Sequence, residues 1–186
     1  MTDVVEELEK AWKSHVKGVE ALRTSLDKIR SATKDFSDML DYIGYSMYRG
    51  KLPHSKGHID VIVKRLDPIV GSYGHKFCED IVILHKCSHK NVIPLLGFCE
   101  EERERERERI VLFEHMVNGS LKDHVKTTSL TWKRRLQICV DVARGLEYIH
   151  GEVDTRHEIH GGIKSSSILL NHDWKLLFLI SSYLKV

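Results

Sequence analysis

Apolar residues near the amino terminus recur at alternating steps of three and four positions, the spacing of a helix with one apolar stripe. The stripe consists of Val5, Leu8, Trp12, Val19, Leu22, Leu26 and Ile29, with His15 at the one missing position. This pattern predicts an amphipathic helix over residues 1–25, and Thr24-Ser25 is typical of the start of a second helix. Two interpretations remain open: a coiled coil that binds a partner, and a helix that packs on its own domain.

Further along the chain, short runs alternate apolar with polar or small residues, a pattern that predicts strands. The runs cover residues 42–52, 60–66, 92–99 and 110–113. Residues 53–60 are expected to form a solvated turn, where His54 and His58 lack a third metal ligand nearby in sequence. The run E-E-E-R-E-R-E-R-E-R at 100–109 cancels its own charge, so we expect a solvated hairpin tip.

Two later segments have the periodicity of helices. Phe77, Ile81 and Leu84 share one helical face. A longer helix is predicted over 132–149, with its apolar positions three or four residues apart. These positions are Trp132, Leu136, Val140, Ala143, Leu146 and Ile149.

Composition limits the class of protein. The 186 residues are 41% hydrophobic and 30% charged with a net charge of +2, which fits one modest globular domain and gives no field for nucleic acid or an anionic membrane. The four cysteines are scattered in apolar runs, as expected for reduced core residues of an intracellular protein. No apolar run approaches the roughly 18 residues of a membrane span.

Residues 158–170, E-I-H-G-G-I-K-S-S-S-I-L-L, place a polar turn between two apolar segments. This stretch resembles the protein kinase catalytic loop in its plant receptor-like form, H-R-D-x-K-S-S-N-I-L-L. Three further segments resemble kinase motifs in the family's order: D-V-I-V-K-R-L at 60–66, H-K-N-V-I-P-L-L-G-F-C at 89–99 and E-H-M-V-N-G-S-L at 114–121. The similarity is greatest to plant receptor-like serine/threonine kinases, particularly the FERONIA-like group.

The resemblance implies an α+β, protein kinase-like fold. Its small lobe would be an antiparallel five-strand sheet with one regulatory helix, followed by an incomplete, mainly helical large lobe. We therefore expect an N-terminal amphipathic helix at 1–25, a small lobe up to the hinge at 26–116, and a truncated large-lobe fragment at 117–186.

The same resemblance argues against catalysis. The position of the catalytic base Asp is Gly162, and the magnesium ligands of the family fall on Ser167 and Ile180. The phosphate-covering loop lacks about four residues and two of its glycines, so little of its N–H cradle remains. We therefore expect no catalytic residue and no bound metal.

A vestigial nucleotide site is implied at Ile43, Ile62, Lys64, Asp80, Glu114, Met116 and Leu169. Lys64 matches the lysine that holds the phosphates, and Asp80 replaces its usual Glu partner. Ile62 replaces a small Ala that lies over adenine in the family, and its extra carbons would cost about 1–3 kcal/mol of overpacking or exclude the base. No cofactor is expected; ATP with Mg²⁺ belongs only to the alternative below.

These features predict a catalytically dead pseudokinase that acts as a cytoplasmic signalling module, held at the plasma membrane through a partner. The expected partner is another protein, a kinase or a receptor. The alternatives are a weak ATP-binding serine/threonine kinase homologue and a non-functional gene fragment. Self-association is also expected, because the apolar face of the 132–149 helix would lack its usual cover.

Overall fold

The computed structural model describes residues 18–42, 45–55, 57–66, 73–103, 106–127, 130–152, 164–166 and 168–178. The chain forms two compact units: Met1–His85 with Leu95–Phe113, and Lys86–Pro94 with Glu114–Val186. The helical elements are a 3₁₀ turn at Glu20–Leu22, α1 (Leu26–Thr33), α2 (Tyr73–Lys86), α3 (Leu121–His124) and α4 (Trp132–Glu152). The strands are β1 (Met39–Tyr42), β2 (Tyr45–His54), β3 (Gly57–Leu66), β4 (Leu95–Arg103), β5 (Glu106–Glu114), β6 (Ile168–Leu170) and β7 (Leu176–Phe178).

A five-stranded sheet of order β1-β2-β3-β5-β4 dominates the first unit. The consecutive pairs β1–β2, β2–β3 and β4–β5 are antiparallel hairpins. The α+β class expected from the sequence, with its antiparallel five-strand small lobe, is confirmed.

The core of the first unit lies between this sheet and α1. Because side chains on a strand alternate between faces, Val61 and Val63 of β3 point to the same side and are fully buried. They pack in one cluster with residues of α1, β2, β4 and β5. The cluster is Leu26, Ile29, Tyr48, Val61, Val63, Cys99, Ile110 and Leu112.

The amino-terminal segment docks on the free edge of β4. Arg23 forms a parallel bridge with Phe98, whose carbonyl accepts a hydrogen bond from the Thr24 N–H at 2.8 Å. Within the predicted 1–25 helix, residues 18–25 form turns and an extended stretch instead, and the rest lies outside the described residues. Edge pairing satisfies the backbone here in place of helical hydrogen bonds.

The second predicted helix does begin after Ser25, as α1. Three residues of the apolar stripe, Val19, Leu26 and Ile29, are at most 1% exposed within the first unit. At these three positions the stripe therefore packs on its own domain. Val5, Leu8 and Trp12 lie outside the described residues, so the choice between a coiled coil and domain packing for the rest of the stripe remains a prediction.

Two predicted loops are largely strand. Strand β2 continues to His54 and β3 begins at Gly57, so the turn predicted at 53–60 shrinks to the tip of a tight hairpin. The charged run predicted as a hairpin tip forms the paired ends of β4 and β5 instead, with Glu100 opposite Arg109 and Glu102 opposite Arg107. Alternating charge has the same period as a strand, and cross-strand pairs of opposite sign stabilise the ladder.

In the second unit, one side of α4 packs on the β6–β7 hairpin and α3. The core cluster is Leu130, Ile138, Ile168, Leu170 and Leu176, joined by the partly buried Leu121, Val142, Leu146 and Trp174. The segment before β4 belongs to this unit: the Ser88 N–H donates to the Tyr148 hydroxyl at 2.9 Å, and the rings of His89 and Tyr148 stack at 4.7 Å.

Candidate nucleotide-site residues and the relatives of the chain

Lys64 and Ile62 lie on β3, on the face opposite Val61 and Val63. Strand alternation places them on the same side of the sheet. Ile62 is half-buried, whereas Lys64 is only 3% exposed. Lysine is almost never so deeply buried without a partner for its ammonium group.

The turn between β1 and β2 is short. Tyr42 pairs with Ser46, so three residues separate the paired positions, and the last of them, Tyr45, already belongs to β2. A tip of this length supplies few backbone N–H groups for a phosphate, whereas the hairpin expected from the shortened motif is present. Ile43 lies outside the described residues, so its role remains a prediction.

Several further predicted positions are also outside the described part of the chain. Asp80 is within α2, but its side chain is not described, and the expected pair with Lys64 stays a prediction. The same holds for the degenerate catalytic positions Gly162, Ser167 and Ile180.

The predicted hinge follows directly from β5. Glu114 is the last residue of this strand and is half-buried, and Met116 is 4% exposed. The Met116 carbonyl accepts a hydrogen bond from the Gly119 N–H at 2.9 Å. Gly119 has φ of 63°, a conformation that glycine adopts without the steric cost of a side chain.

This turn is hydrogen-bonded to β6, which carries Leu169. The Asn118 N–H donates to the Leu170 carbonyl at 3.1 Å, and the Leu170 N–H donates to the Gly119 carbonyl at 2.9 Å. Leu170 is fully buried, whereas Leu169 is half-buried on the opposite side of the strand. Within the second unit, these hydrogen bonds therefore join the hinge segment to the strand that carries Leu169.

Sequence reasoning missed a buried ion pair between Arg65 and Glu108. The guanidinium donates two hydrogen bonds to the carboxylate, one of them from Nε to Oε2 at 2.7 Å. Its side chain also lies over the ring of Phe36, with 5.1 Å between Cζ and the ring centroid. The hydrogen bonds to Glu108 raise the pKa of Arg65, against the opposing effect of burial. Through Arg65, β3 is therefore connected both to Glu108 on β5 and to Phe36 in the turn that follows α1.

A signal for the burial of Glu108 was present in the sequence. Glu108, Ile110 and Leu112 are two residues apart, so all three point to the same face of β5. Ile110 and Leu112 are fully buried, and Glu108 is 5% exposed. Treating residues 100–109 as one solvated run hid this continuation of the strand pattern.

The chain belongs to the protein kinase family. The family model of protein tyrosine and serine/threonine kinases matches residues 45–181. The curated relatives are plant receptor-like and serine/threonine kinases, which confirms the resemblance drawn from the motifs.

Receptor-like protein kinase FERONIA of Arabidopsis thaliana is 35% identical over 157 residues, and the match covers 81% of this chain and 17% of that protein. Serine/threonine-protein kinase PCRK1 of the same plant is 39% identical over 161 residues, which cover 81% of this chain and 38% of PCRK1. The chain therefore spans well under half the length of either relative.

Two solved structures of pseudokinases are similar to this fold. The apo GRMZM2G135359 pseudokinase aligns with a TM-score of 0.75 and 27% identity, covering 89% of this chain and 63% of that one. The pseudokinase DRIK1 (drought responsive inactive kinase 1), bound to ENMD-2076, aligns with a TM-score of 0.71 and 28% identity over 86% of this chain and 61% of its own.

No group of three or more His, Cys, Asp and Glu side chains in the described ranges is arranged to hold a metal ion. None of the helices there is long and apolar enough to cross a membrane.

Proposed function

We propose that this chain is a catalytically inactive kinase-like module that acts in signalling by binding another protein. The observation that carries the proposal is the set of residues at three catalytic positions. Gly162 replaces the base, and Ser167 and Ile180 replace the magnesium ligands. Phosphoryl transfer depends on positioning the nucleophile and on neutralising charge with Mg²⁺, and none of these three side chains supplies either function.

Features of β3 and of its neighbouring hairpin support the same proposal. The β1–β2 tip has only three residues between paired positions, so a phosphate-covering loop has little backbone to offer. Ile62 adds bulk where the family has a small residue over the adenine. A nucleotide would therefore lose contacts at both its phosphates and its base.

The first experiment measures phosphoryl transfer directly. The purified chain is incubated with millimolar ATP and Mg²⁺, and labelled phosphate is followed on the chain and on a generic protein substrate. We expect no incorporation. Lys64→Ala is the matched control: incorporation that survives this change shows a contaminating kinase, whereas incorporation that the change abolishes overturns the inactive assignment.

Weak nucleotide binding is the second candidate function, and the burial of Lys64 favours it. Lys64, which is 3% exposed on β3, occupies the position of the lysine that the family uses to hold phosphates. The structure of the similar pseudokinase DRIK1 bound to ENMD-2076 supports testing small-molecule binding here as well.

A thermal-shift experiment separates the two candidates. We expect ATP to leave the melting temperature of the unmodified chain unchanged, and an adenine compound to raise it only after Ile62→Ala opens space above the base. Stabilisation of the unmodified chain by ATP, lost in Lys64→Ala, would favour the nucleotide-binding function.

The proposed partner is another kinase or a receptor. The relatives FERONIA and PCRK1 are themselves a receptor-like kinase and a serine/threonine kinase, which supports a signalling role. We place the module in the cytoplasm, at the plasma membrane through such a partner. Pull-down with the full chain, followed by repetition with Arg65→Ala to disturb the small-lobe unit, tests whether that unit carries the contact.

A further inference from the structure

Helix α4 is apolar on two opposite sides, but the described structure covers only one of them. Ile138 is buried in the core cluster of the second unit, with Val142 and Leu146 packed against it. On the other side, Trp132 is 73%, Leu136 49% and Val140 44% exposed, and Ala143 continues the stripe. Large apolar side chains that lie side by side on an exposed face are typical of an interaction surface.

The charges beside this stripe are arranged symmetrically around its middle. Lys133 lies seven residues before Val140, and Glu147 lies seven residues after it. At 1.5 Å per residue, both are about 10 Å from Val140 along the helix axis. Both are exposed, and the helical rotation of 100° per residue places both on the stripe or beside it.

This pattern is complementary to itself. Rotation by 180° about an axis through Val140, perpendicular to the helix, brings Lys133 onto the position of Glu147. The same rotation brings Leu136 close to Ala143, so that a large residue meets a small one. The remaining exposed cation near the stripe, Arg144, then comes beside the uncharged Gln137.

We propose that the exposed face of α4 binds the same face of a second copy of this chain, in antiparallel orientation, with the two-fold axis at Val140. The two symmetric Lys133–Glu147 pairs flank a seam of Leu136, Val140 and Ala143. The helix dipoles oppose one another in this arrangement, which also favours it. An isologous contact of this kind closes on itself and gives a dimer rather than a filament.

The size of the contact sets the expected affinity. About four helical turns on each copy bury less surface than a standard stable interface, so we expect a reversible dimer that dissociates in the micromolar range. The dimer depends only on α4 and is independent of phosphoryl transfer. Its success or failure therefore leaves the proposed function untouched.

Sedimentation equilibrium of the full chain across a concentration series provides the main test. We expect a monomer–dimer equilibrium. Lys133→Glu and Glu147→Lys should each raise the dissociation constant about tenfold. Each single change turns both symmetry-related ion pairs of the dimer into pairs of like charge. The double variant Lys133→Glu/Glu147→Lys restores opposite charges across the axis and should recover the original dissociation constant.

That recovery distinguishes an antiparallel pair from a parallel one, in which each residue would meet its own copy and the double variant would regain nothing. Val140→Asp places two carboxylates at the axis and should abolish the dimer. Val117→Asp is the matched control, since Val117 is 54% exposed but lies outside α4. Circular dichroism verifies that each variant is folded.

Cysteine cross-linking gives an independent readout. Cys139 is exposed next to the axis, whereas Cys87 and Cys99 are buried and Cys78 is half-buried. A short bis-maleimide should therefore link two chains through Cys139, and Cys139→Ser should prevent it. A monomer at all concentrations, association that the charge variants leave unchanged, or a Cys139 that resists the reagent would each overturn the proposal.

Discussion

The two compact units differ in how completely they enclose their apolar residues. In the first, the sheet and α1 enclose a cluster in which Ile110 and Leu112 are fully buried, and the acidic Glu108 beside them is paired with Arg65. In the second, the core lies on one side of α4, and Trp132 on the opposite side is 73% exposed. In the described residues, the first unit thus encloses its core from both sides, whereas α4 of the second leaves one apolar side exposed.

Substitution of one buried leucine by alanine in each core is expected to have the largest effect on the free energy of unfolding. Leu112 and Leu170 are both fully buried, one in each unit. We expect Leu112→Ala to lower the free energy of unfolding by about 3–5 kcal/mol and Leu170→Ala by about 2–3 kcal/mol, because a cavity in the smaller, one-sided core can relax more completely. Urea denaturation measures both values.

Tryptophan fluorescence and circular dichroism distinguish unfolding of the second unit from unfolding of the whole chain. Trp132 and Trp174 lie in the second unit, so in a Trp12→Phe background their fluorescence follows that unit, while circular dichroism follows the whole chain. Equal losses in the free energy of unfolding for the two leucine variants would contradict the expected difference between the cores. Unfolding transitions that coincide by fluorescence and circular dichroism in both variants would contradict it as well.

The buried ion pair of the first unit gives the next largest effect. Removing one partner leaves the other charge buried, which costs about 3–5 kcal/mol in a fully buried pair. The side chain of Glu108 is 7% and that of Arg65 29% exposed, so we expect Glu108→Ala to cost slightly less, about 2–4 kcal/mol. Thermal or urea unfolding measures this loss.

The control comes from the same pair of strands. Glu102 pairs with Arg107 at 3.2 Å, but its side chain is 68% exposed. Glu102→Ala should therefore change the stability by less than about 0.5 kcal/mol. Similar costs for the two glutamates would mean that the charges of β4 and β5 act as one solvated ladder, as the sequence suggested.

The sequence predicted the strands of the first unit because their apolar residues alternate, and the family motifs supplied their order. The prediction was wrong where the same two-residue alternation consists of charged residues instead of apolar ones. Glu102 and Glu108 belong to one run of alternating sign, yet only the three-dimensional position of Arg65 decides that Glu108 is buried. The 3₁₀ turn at Glu20–Leu22 was missed for a related reason, since pairing of Arg23 with Phe98 overrides helical periodicity.

The candidate site was predictable to a similar extent. Local pattern placed Lys64 and Ile62 on a strand, and β3 agrees. Their role in a nucleotide site, like that of Leu169, stays a prediction. The pairing of Lys64 with Asp80 depends on how a side chain of α2 is oriented toward β3. Strand and helix periods alone do not fix that orientation, so the pair remains a prediction.

Substitution of one glycine in each unit by alanine should change the free energy of unfolding in opposite directions. A Cβ on Gly97 would lie 2.8 Å from Thr24 Oγ1 and 3.1 Å from the Leu22 carbonyl oxygen. Because a backbone atom is involved, Gly97→Ala should displace the amino-terminal segment and cost about 1–3 kcal/mol. A Cβ on Gly151, at the end of α4, meets nothing within 4 Å. Gly151→Ala should therefore stabilise the second unit, by up to about 1 kcal/mol.

Hydrogen exchange of the Thr24 amide adds a local readout, since its N–H donates to the Phe98 carbonyl. Faster exchange at Thr24 in Gly97→Ala but not in Gly151→Ala would confirm that the segment is held by close packing at Gly97. Unchanged exchange would show that Thr24 and Leu22 accommodate the added methyl group.

The smallest effect concerns the start of α3 in the second unit. One carboxylate oxygen of Asp123 accepts hydrogen bonds from the Ser120 hydroxyl at 2.6 Å and from the Ser120 N–H at 3.1 Å. These two bonds lower the pKa of Asp123 below its ordinary value. Asp123→Ala should cost about 0.5–1 kcal/mol at pH 7, the lower part of the range for helix caps, because the group is exposed.

The sign of the pH dependence follows from the lowered pKa. The folded state favours the ionised form, so this stabilisation is complete above the unfolded pKa near 3.8 and is lost as the pH falls through the lower, folded value. The difference between the unmodified chain and Asp123→Ala should be constant from pH 7 to about pH 5 and shrink below about pH 4. Asp123→Asn keeps an acceptor oxygen without a titrating group, so its difference from Asp123→Ala should not vary with pH. Urea titrations of the three chains at each pH measure these differences, and a cost that grows on acidification would show that the ionised carboxylate does not stabilise α3.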